Sequence, residues 1–382
     1  MDDRVREHAE ILVEWSARVG PGDDVVVDVA EGAHELGVAV AEKLGEVGAT
    51  VTTTYGSGEL TRAYLTAHDD DFGASAAEKA MLEAADVYLR LGGGRNTAAM
   101  ADVAADTRQA YSRARTGVRE ARMDTDWVST VHPTRSLAQQ AGMSYEAYRE
   151  FVYDAVCRDW EALAAEMAQV KELLDAGETV RIVTERDDQP RTDVTMSISG
   201  RTAVNSAASV AYDSHNLPSG EVFTAPYDTT GQVFFDVPMT IEGRRVRDVR
   251  LVFEDGEVVE FDAGTGEEAI ETVLNTDPGA RRLGELGIGM NREIDRFTDN
   301  ILFDEKMGDT VHLALGRAYD ANLPDGESGT ESAVHVDLIT DMSAASRIEI
   351  DGDVIQRNGT FRFEEGFEDK SEEESEDGGG NR

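Results

Sequence analysis

Val25-Val26-Val27-Asp28-Val29 decides the fold of the N-terminal half, because a short apolar run of this kind is typical of a strand buried within a sheet. A helical pattern follows over residues 34–47, where apolar residues recur at steps of three and four. Two more strand-like runs lie at residues 49–54 and 86–91, with helical patterns between them. This alternation of strands and helices predicts an α/β domain with a parallel, doubly wound sheet.

The sequence pattern changes after Gly177, where short strand-like runs are separated by turns such as Glu254-Asp255-Gly256. We therefore expect an α/β N-terminal domain with a helical extension over residues 1–177. A strand-rich α+β C-terminal domain is expected over residues 178–363. Residues 364–382 are rich in Glu, Asp, Ser and Gly, and this composition predicts a disordered acidic tail.

Charge is the strongest compositional feature, since 77 Asp and Glu residues against 36 Lys and Arg residues give a net charge of −41. An acidic, lysine-poor surface indicates adaptation to high salt, where counterions screen the repulsion between carboxylates. The same charge argues against nucleic acid as a partner, because phosphates attract cations. No apolar run approaches the roughly 18 residues of a membrane span. The start of the chain lacks a signal-peptide pattern, so we expect a cytoplasmic protein without membrane association.

Several histidines and carboxylates of the C-terminal half lie in or beside apolar, glycine-punctuated segments. His335 and Asp337 are two residues apart in a strand-like run, so their side chains point to one face. Glu221 follows a Pro-x-Gly turn, and Glu285 and His312 lie in similar runs. A buried charge is costly unless it is neutralised, and imidazole with carboxylates suits Zn²⁺, Co²⁺ or Mn²⁺. A metal site is predicted, although each motif alone also fits a solvated strand face or a capped turn.

Two other classes of function stay open from the residues alone. A non-catalytic scaffold could bind divalent cations without turnover. A nucleotide-linked enzyme could use the N-terminal sheet, but the turn at residues 30–34 lacks the G-x-G-x-x-G pattern, and glycines such as Gly92–Gly94 usually mark a turn. Four histidines have no acidic or cysteine partner at ligand spacing and are expected in packing or surface positions: His8, His34, His68 and His132.

Five short motifs occur in order along the C-terminal half. They are Asn-x-Pro-x-Gly-Glu-Val-Phe-Thr-x-Pro from Asn216, Gly-Glu-Leu-Gly-Ile-Gly from Gly284, Phe-Asp-Glu from Phe303, His-Leu-Ala-x-Gly-x-x-Tyr from His312 and His-Val-Asp from His335. Together they resemble the thermophilic aminopeptidase (aminopeptidase T, M29) family of metallopeptidases, and the resemblance covers all but the tail. It implies a cytoplasmic homodimer with two divalent metal ions per subunit (Co²⁺, Zn²⁺ or Mn²⁺), acting on peptides with a free N-terminus.

The same resemblance implies roles for individual residues. Tyr319 resembles the family's active-site tyrosine, which would donate a hydrogen bond to the developing oxyanion. Glu305 matches the glutamate of Phe-Asp-Glu, but two extra residues separate it from His312, so its role stays open between a metal ligand and a proton shuttle. Glu285 would bridge the two metals and is a second candidate for proton transfer. The implied metal ligands are Glu221, Glu285, His312, His335 and Asp337.

Overall fold

The computed structural model describes residues 1–69, 71–241 and 243–368, which form two compact units. The first unit contains residues 1–164, 206–220 and 300–304. The second contains residues 165–205 and 221–299, and continues from residue 305. Among the described residues, no helix combines the length and apolar character needed to cross a bilayer.

The regular elements are numbered in chain order. The helices are α1 (Asp3–Glu10), α2 (His34–Val47), α3 (Gly58–Ala67), α4 (Ala76–Glu83), α5 (Ala105–Ala114), α6 (Thr116–Met123), α7 (Arg135–Gln140), α8 (Tyr145–Val156), α9 (Trp160–Ala176), α10 (Glu267–Leu274) and α11 (Ile301–Asp304), and a π-helical segment (Ile11–Ser16) follows α1. The strands are β1 (Asp24–Ala30), β2 (Thr50–Gly56), β3 (Val87–Gly92), β4 (Asp126–Val131), β5 (Thr179–Thr184), β6 (Thr192–Ser197), β7 (Val204–Ser206), β8 (Asn216–Leu217), β9 (Glu221–Thr224), β10 (Tyr227–Phe235), β11 (Met239–Ile241), β12 (Arg244–Glu254), β13 (Glu257–Thr265), β14 (Leu283–Gly289), β15 (Thr310–Gly316), β16 (His335–Asp341), β17 (Ser346–Ile350), β18 (Asp353–Arg357) and β19 (Thr360–Phe361). Short 3-10 turns lie at Val210–Tyr212, Pro278–Arg281 and Asp320–Asn322.

The first unit is built on a parallel sheet with strand order β2-β1-β3-β4-β8. β1 lies between β2 and β3, and its residues Val25, Val26 and Val27 are buried. The α/β class with a parallel sheet is therefore confirmed. Asn216–Leu217 forms the edge strand β8 beside β4, which the sequence did not predict because two residues are too few to show a periodicity.

Local signals in the sequence fix the ends of the helices. The Ser144 hydroxyl accepts a hydrogen bond from the Ala147 backbone N–H at 3.1 Å, which starts α8. Gly48 adopts a φ of +86°, the left-handed conformation that ends α2. The bounds of α2 match the helix predicted from its apolar periodicity.

The second unit contains two antiparallel sheets, in agreement with the predicted strand-rich C-terminal region. One has nine strands, in the order β11-β12-β10-β6-β5-β17-β18-β19 with β13 paired to β12. The other has the order β16-β15-β14-β9-β7. Every residue of β14 and β15 is buried, so these two strands form the core of the five-stranded sheet.

The domain boundaries expected at residues 177 and 363 stay predictions, because compactness alone does not show which segments fold independently. In the predicted tail, the Glu364 carboxylate accepts hydrogen bonds from the Phe361 backbone N–H at 2.7 Å and from Arg292 Nη2 at 3.0 Å. The rest of that prediction, from residue 369 onward, lies outside the described residues.

Candidate metal centre

The register of the five-stranded sheet brings the predicted ligands to one face. Glu285 of β14 and Asp337 of β16 both pair with Ala314 of β15, so the three residues form a row across three strands. His312 lies two residues before Ala314, on the same face, and pairs with Gly287. The alternation of side chains along these strands is what sets the carboxylates beside the imidazoles.

The first group of donors consists of Glu221, Glu285 and His312, and all three side chains are buried. His312 Nε2 lies 2.9 Å from Glu285 Oε1 and 3.5 Å from Glu221 Oε2. Glu221 begins β9, where it pairs with Gly289 of β14, as the Pro-x-Gly turn before it predicted.

The second group consists of Glu285, His335 and Asp337. His335 Nε2 lies 3.4 Å from Asp337 Oδ1 and 3.7 Å from Glu285 Oε2. The other ring nitrogen, Nδ1, lies 2.8 Å from the carbonyl oxygen of Arg317, to which an Nδ1–H would donate. That hydrogen bond favours the tautomer in which Nε2 carries the free lone pair, the arrangement that orients metal-binding histidines.

Glu285 is common to both groups, and its two oxygens face different histidines. The structure thus brings together all five residues predicted as ligands. Glu285 thus links the two groups of donors.

Gly287 makes room for His312. A Cβ atom at residue 287 would lie 2.0 Å from His312 Nε2 and 2.1 Å from its Cε1, far inside van der Waals contact. The imidazole therefore crosses β14 where that strand has no side chain, and so reaches Glu285. The motif Gly-Glu-Leu-Gly contains this glycine, but its role becomes visible only in the strand register.

Lys306 is a buried cation that the sequence analysis did not single out. Its side chain is fully buried, pairs with the Glu305 carboxylate, and lies 3.4 Å from Glu221 Oε1. Within the described part of the chain, Glu305 belongs to neither donor group. The sequence feature that could have drawn attention to Lys306 is the rarity of lysine, since only five lysines occur in the chain.

Tyr319 lies at the open side of the cluster, with 42% of its surface exposed. Its ring centroid is 5.0 Å from that of His335 and 6.0 Å from that of Phe223. Partial burial and the negative charges of Glu285 and Asp337 raise the pKa of Tyr319, so its hydroxyl remains a donor near neutral pH.

The carboxylates dominate the electrostatics of the cluster. Burial lowers the pKa of His335, but the hydrogen bond and charge of Asp337 outweigh it and raise that pKa to about 9. Burial also lowers the pKa of His312, but Glu285 and Glu221 outweigh it and raise that pKa. Burial raises the pKa of Glu285 against the opposing hydrogen bond from His312. Burial also acts to raise the pKa of Asp337, but the hydrogen bond and charge of His335 lower it overall.

The residues fit divalent cations. Glu221 Oε2 is buried and has no hydrogen-bond partner among the described residues, although it faces the cluster. Within the same described ranges, four carboxylates meet one ammonium group and two imidazoles, so added positive charge is needed for neutrality once the imidazoles are neutral and donate their lone pairs. The donors are oxygen and imidazole nitrogen, which suit Zn²⁺, Co²⁺ and Mn²⁺. The charged groups are Glu221, Glu285, Glu305, Asp337 and Lys306.

The remaining sequence candidates lie elsewhere. His8 and His132 are buried in the first unit, where His8 Nε2 lies 2.7 Å from the Thr130 hydroxyl. A Cβ atom at Gly32 would lie 2.1 Å from the carbonyl oxygen of Gly93. These two glycines therefore allow two loops to pack closely, which gives the nucleotide-linked alternative no support.

The thermophilic metalloprotease (M29) family matches residues 1–361. Aminopeptidase 2 of Geobacillus stearothermophilus is 35% identical over 172 residues, covering 39% of this chain and 40% of that protein. Aminopeptidase T of Thermus aquaticus is 38% identical over 149 residues, and the match spans 36% of each protein. The chain thus spans about two fifths of the length of these two curated relatives.

Aminopeptidase T of Thermus thermophilus is 29% identical over 400 residues, which cover 92% of this chain and 95% of that protein. A solved structure of wild-type AmpT from Thermus thermophilus superposes with a TM-score of 0.82 at 24% identity, covering 94% of this chain and 99% of that one. The structural match establishes a shared fold. Because the family match extends over nearly the whole chain, the resemblance inferred from the five motifs is confirmed: the chain belongs to the thermophilic metalloprotease (M29) family.

Proposed function

We propose that this chain is a metal-dependent aminopeptidase that hydrolyses the N-terminal peptide bond of peptides with two divalent cations per subunit. One observation supports the two-metal arrangement above all others. Glu285 presents Oε1 to His312 at 2.9 Å and Oε2 to His335 at 3.7 Å, as a carboxylate shared by two neighbouring cations would.

In this assignment Glu221, Glu285 and His312 would hold one cation, and Glu285, His335 and Asp337 would hold the other. Two divalent cations would offset the four carboxylates that surround them. The metal would be Co²⁺, Zn²⁺ or Mn²⁺, since oxygen and imidazole donors accept each of them and availability decides between them.

When bound, such cations act as Lewis acids on a carbonyl oxygen and lower the pKa of water. Side chains of this protein would stabilise the oxyanion and transfer the proton. Tyr319 would donate its hydroxyl hydrogen bond to the oxyanion that forms when water adds to the peptide carbonyl. Loss of one such donor costs roughly 100- to 1,000-fold in rate at comparable sites.

Glu305 would act as the proton shuttle, the role that the sequence left open against a metal ligand. It pairs with Lys306, which holds its carboxylate in place and occupies one of its oxygens. Glu305 would accept the proton of the attacking water and return it to the leaving amine, so that no net proton is gained or lost.

The homodimer, the cytoplasmic location and the adaptation to high salt belong to the same proposal and stay predictions. Sedimentation at low and molar KCl would measure the subunit number, and melting temperature against KCl would measure the salt requirement. A melting curve that does not change with salt would reject the halophilic interpretation.

The aminopeptidase assignment is tested with a chromogenic leucine anilide. Chelation with EDTA should abolish product release, and addition of Co²⁺, Zn²⁺ or Mn²⁺ should restore it. A chain that binds metal without releasing product would instead be a cation-binding scaffold.

Glu285→Gln should lose activity below detection and bind less metal, because the bridging charge is gone while the shape of the side chain is kept. Glu260→Gln, on the exposed side of β13, is the matched control and should keep both properties. Metal content per chain and turnover are the measurements, and near-normal turnover in Glu285→Gln would contradict the role of Glu285.

A further inference from the structure

The first unit contains a cavity of about 670 Å³ against the parallel sheet, lined by residues of β1, β3, α4 and α6. A second lobe of about 320 Å³ shares Glu78, Leu82, Tyr88, Arg115 and Arg122 with it. We refer to this space as the arginine cleft, after four of the residues that line it: Arg90, Arg115, Arg119 and Arg122.

The acidic residues of the arginine cleft are already bonded. The Glu78 carboxylate accepts two hydrogen bonds from Arg115, one of them 2.7 Å long. Asp28 accepts hydrogen bonds from the hydroxyl groups of Thr54 at 2.7 Å and Tyr88 at 3.3 Å. Glu78 is therefore paired with Arg115, whereas Asp28 keeps its negative charge, and the four arginines outnumber these two carboxylates in the lining.

Three guanidinium groups, those of Arg90, Arg119 and Arg122, have no carboxylate partner among the described residues. Arg122 is half-buried, stacks over Trp127 at 4.9 Å, and its Nε is buried without a hydrogen-bond partner. Burial lowers the pKa of Arg122, and the charges of Arg90 and Arg119 lower it further. Such a concentration of unpaired positive charge is unexpected in a chain with a net charge of −41.

The remaining wall of the arginine cleft is apolar or aromatic. Leu82 and Val118 are buried beside it, and the rings of Tyr88 and Tyr111 line it. Its size falls within the roughly 300–1,000 Å³ of sites that enclose small organic molecules. Guanidinium groups match the planar oxygens of carboxylates and phosphates, to which they donate paired hydrogen bonds.

We propose that the arginine cleft binds a small organic anion. Arg90, Arg119 and Arg122 hold its phosphate or carboxylate group, and its body packs against Tyr88, Tyr111 and Leu82. This site is separate in its residues from the metal centre, so variants of these arginines should leave aminopeptidase turnover unchanged.

Calorimetric titration at constant molar KCl tests the site on the full-length, metal-loaded protein. AMP and citrate serve as an organic phosphate and an organic carboxylate, and adenosine and inorganic phosphate serve as the uncharged body and the bare anion. Saturable binding of AMP or citrate is expected, tighter than that of inorganic phosphate and without binding of adenosine. Whichever of the two binds identifies the phosphate or the carboxylate as the preferred group.

Arg122→Gln and Arg90→Gln should each weaken that binding by roughly tenfold or more, because one charge-assisted contact is lost. Arg90 is exposed and has no carboxylate partner in the described parts of the chain, so its variant should fold even if loss of the Trp127 contact destabilises Arg122→Gln. Arg6→Gln, an exposed arginine in α1, removes the same charge elsewhere and should bind as the wild type does.

Three outcomes would contradict the proposal that the arginine cleft binds a small organic anion. They are absence of saturable binding by both organic anions, equal binding of inorganic phosphate and AMP or citrate, and equal weakening in Arg6→Gln and Arg90→Gln. The last two would show that the arginines attract anions only through general electrostatics.

Discussion

Two pairs of histidines, one in each unit, lie in opposite electrostatic surroundings. His8 and His132 are buried in the first unit, and His8 faces the neutral hydroxyl of Thr130. His312 and His335 lie in the second unit within 4 Å of carboxylates. Burial and the nearby His132 lower the pKa of His8 to about 3, whereas Asp337 and Glu285 raise the pKa of His335 to about 9.

The difference shows that burial alone does not give a histidine the surroundings that a metal ligand needs. A neutral imidazole that bonds to a hydroxyl needs no counter-charge, as at His8, whose Nε2 lies against Thr130 while its buried Nδ1 has no hydrogen-bond partner among the described residues. Imidazoles among carboxylates form a cluster with excess negative charge, which a cation neutralises. Neighbouring strands make this difference, since β14 and β16 place Glu285 and Asp337 beside the histidines.

The largest effect is expected when one histidine of each pair is replaced by alanine. His335→Ala should reduce anilide turnover below detection and lower metal content, because one ligand is lost. His132→Ala removes a buried imidazole outside the metal centre, whose pKa burial lowers despite the charge of Glu35, and should keep metal content unchanged. Turnover and metal per chain are measured for both variants, and equal losses in the two would mean that the effect arises from folding alone.

A second comparison concerns the tyrosines that pack against these histidines. Tyr319→Phe should lower kcat by roughly 100- to 1,000-fold, because the oxyanion loses a donor, while metal content is retained. The Tyr153 ring packs edge-on against His8 at 6.4 Å, and Tyr153→Phe is the matched control, with little change in kcat expected. An unchanged kcat in Tyr319→Phe would show that Tyr319 takes no part in the reaction.

Gly287→Ala should weaken metal binding by about 10- to 100-fold, the range found when residues that orient metal ligands are altered. The added methyl group would overlap the imidazole of His312 and displace it from Glu285. Gly45→Ala, where a Cβ atom meets nothing within 4 Å, serves as the control. Metal affinity measured by competition with a chelator should fall only in the first variant.

The smallest effect concerns stability and His8. Its folded pKa of about 3 lies below the ordinary histidine pKa of 6.5, so the unfolded chain binds more protons at acid pH. The stability that His8 contributes is complete above pH 6.5 and is lost as the pH falls toward 3. Between pH 7 and pH 5 the wild type should therefore lose about 2 kcal/mol more unfolding free energy than His8→Gln. Denaturant unfolding at both pH values measures this, and parallel losses would contradict it.

Much of the fold could be predicted from sequence, because its long elements carry clear periodicities. The apolar steps of α2 and the valines of β1 are examples, and the alternation in β16 predicted that His335 and Asp337 share a face. β8 could not be predicted, since two residues carry no pattern and their partners in β4 lie 87 residues earlier.

The five candidate ligands were named from the sequence, but the contacts that surround them were not predicted. Lys306 follows Glu305 in a polar segment, and only the fold shows that its ammonium group is buried beside Glu221. Gly287 looks like any strand glycine until the register places His312 opposite it. Both contributions depend on contacts between strands distant in sequence, which local patterns do not contain.

The most direct test of the metal centre is an anomalous-scattering map of crystals soaked in Co²⁺ or Zn²⁺, recorded at the absorption edge of that metal. Two peaks per chain are expected, one beside His312 and one beside His335, with Glu285 contacting both. A single peak, or peaks that do not contact Glu285, would contradict the shared carboxylate and the two-metal chemistry based on it.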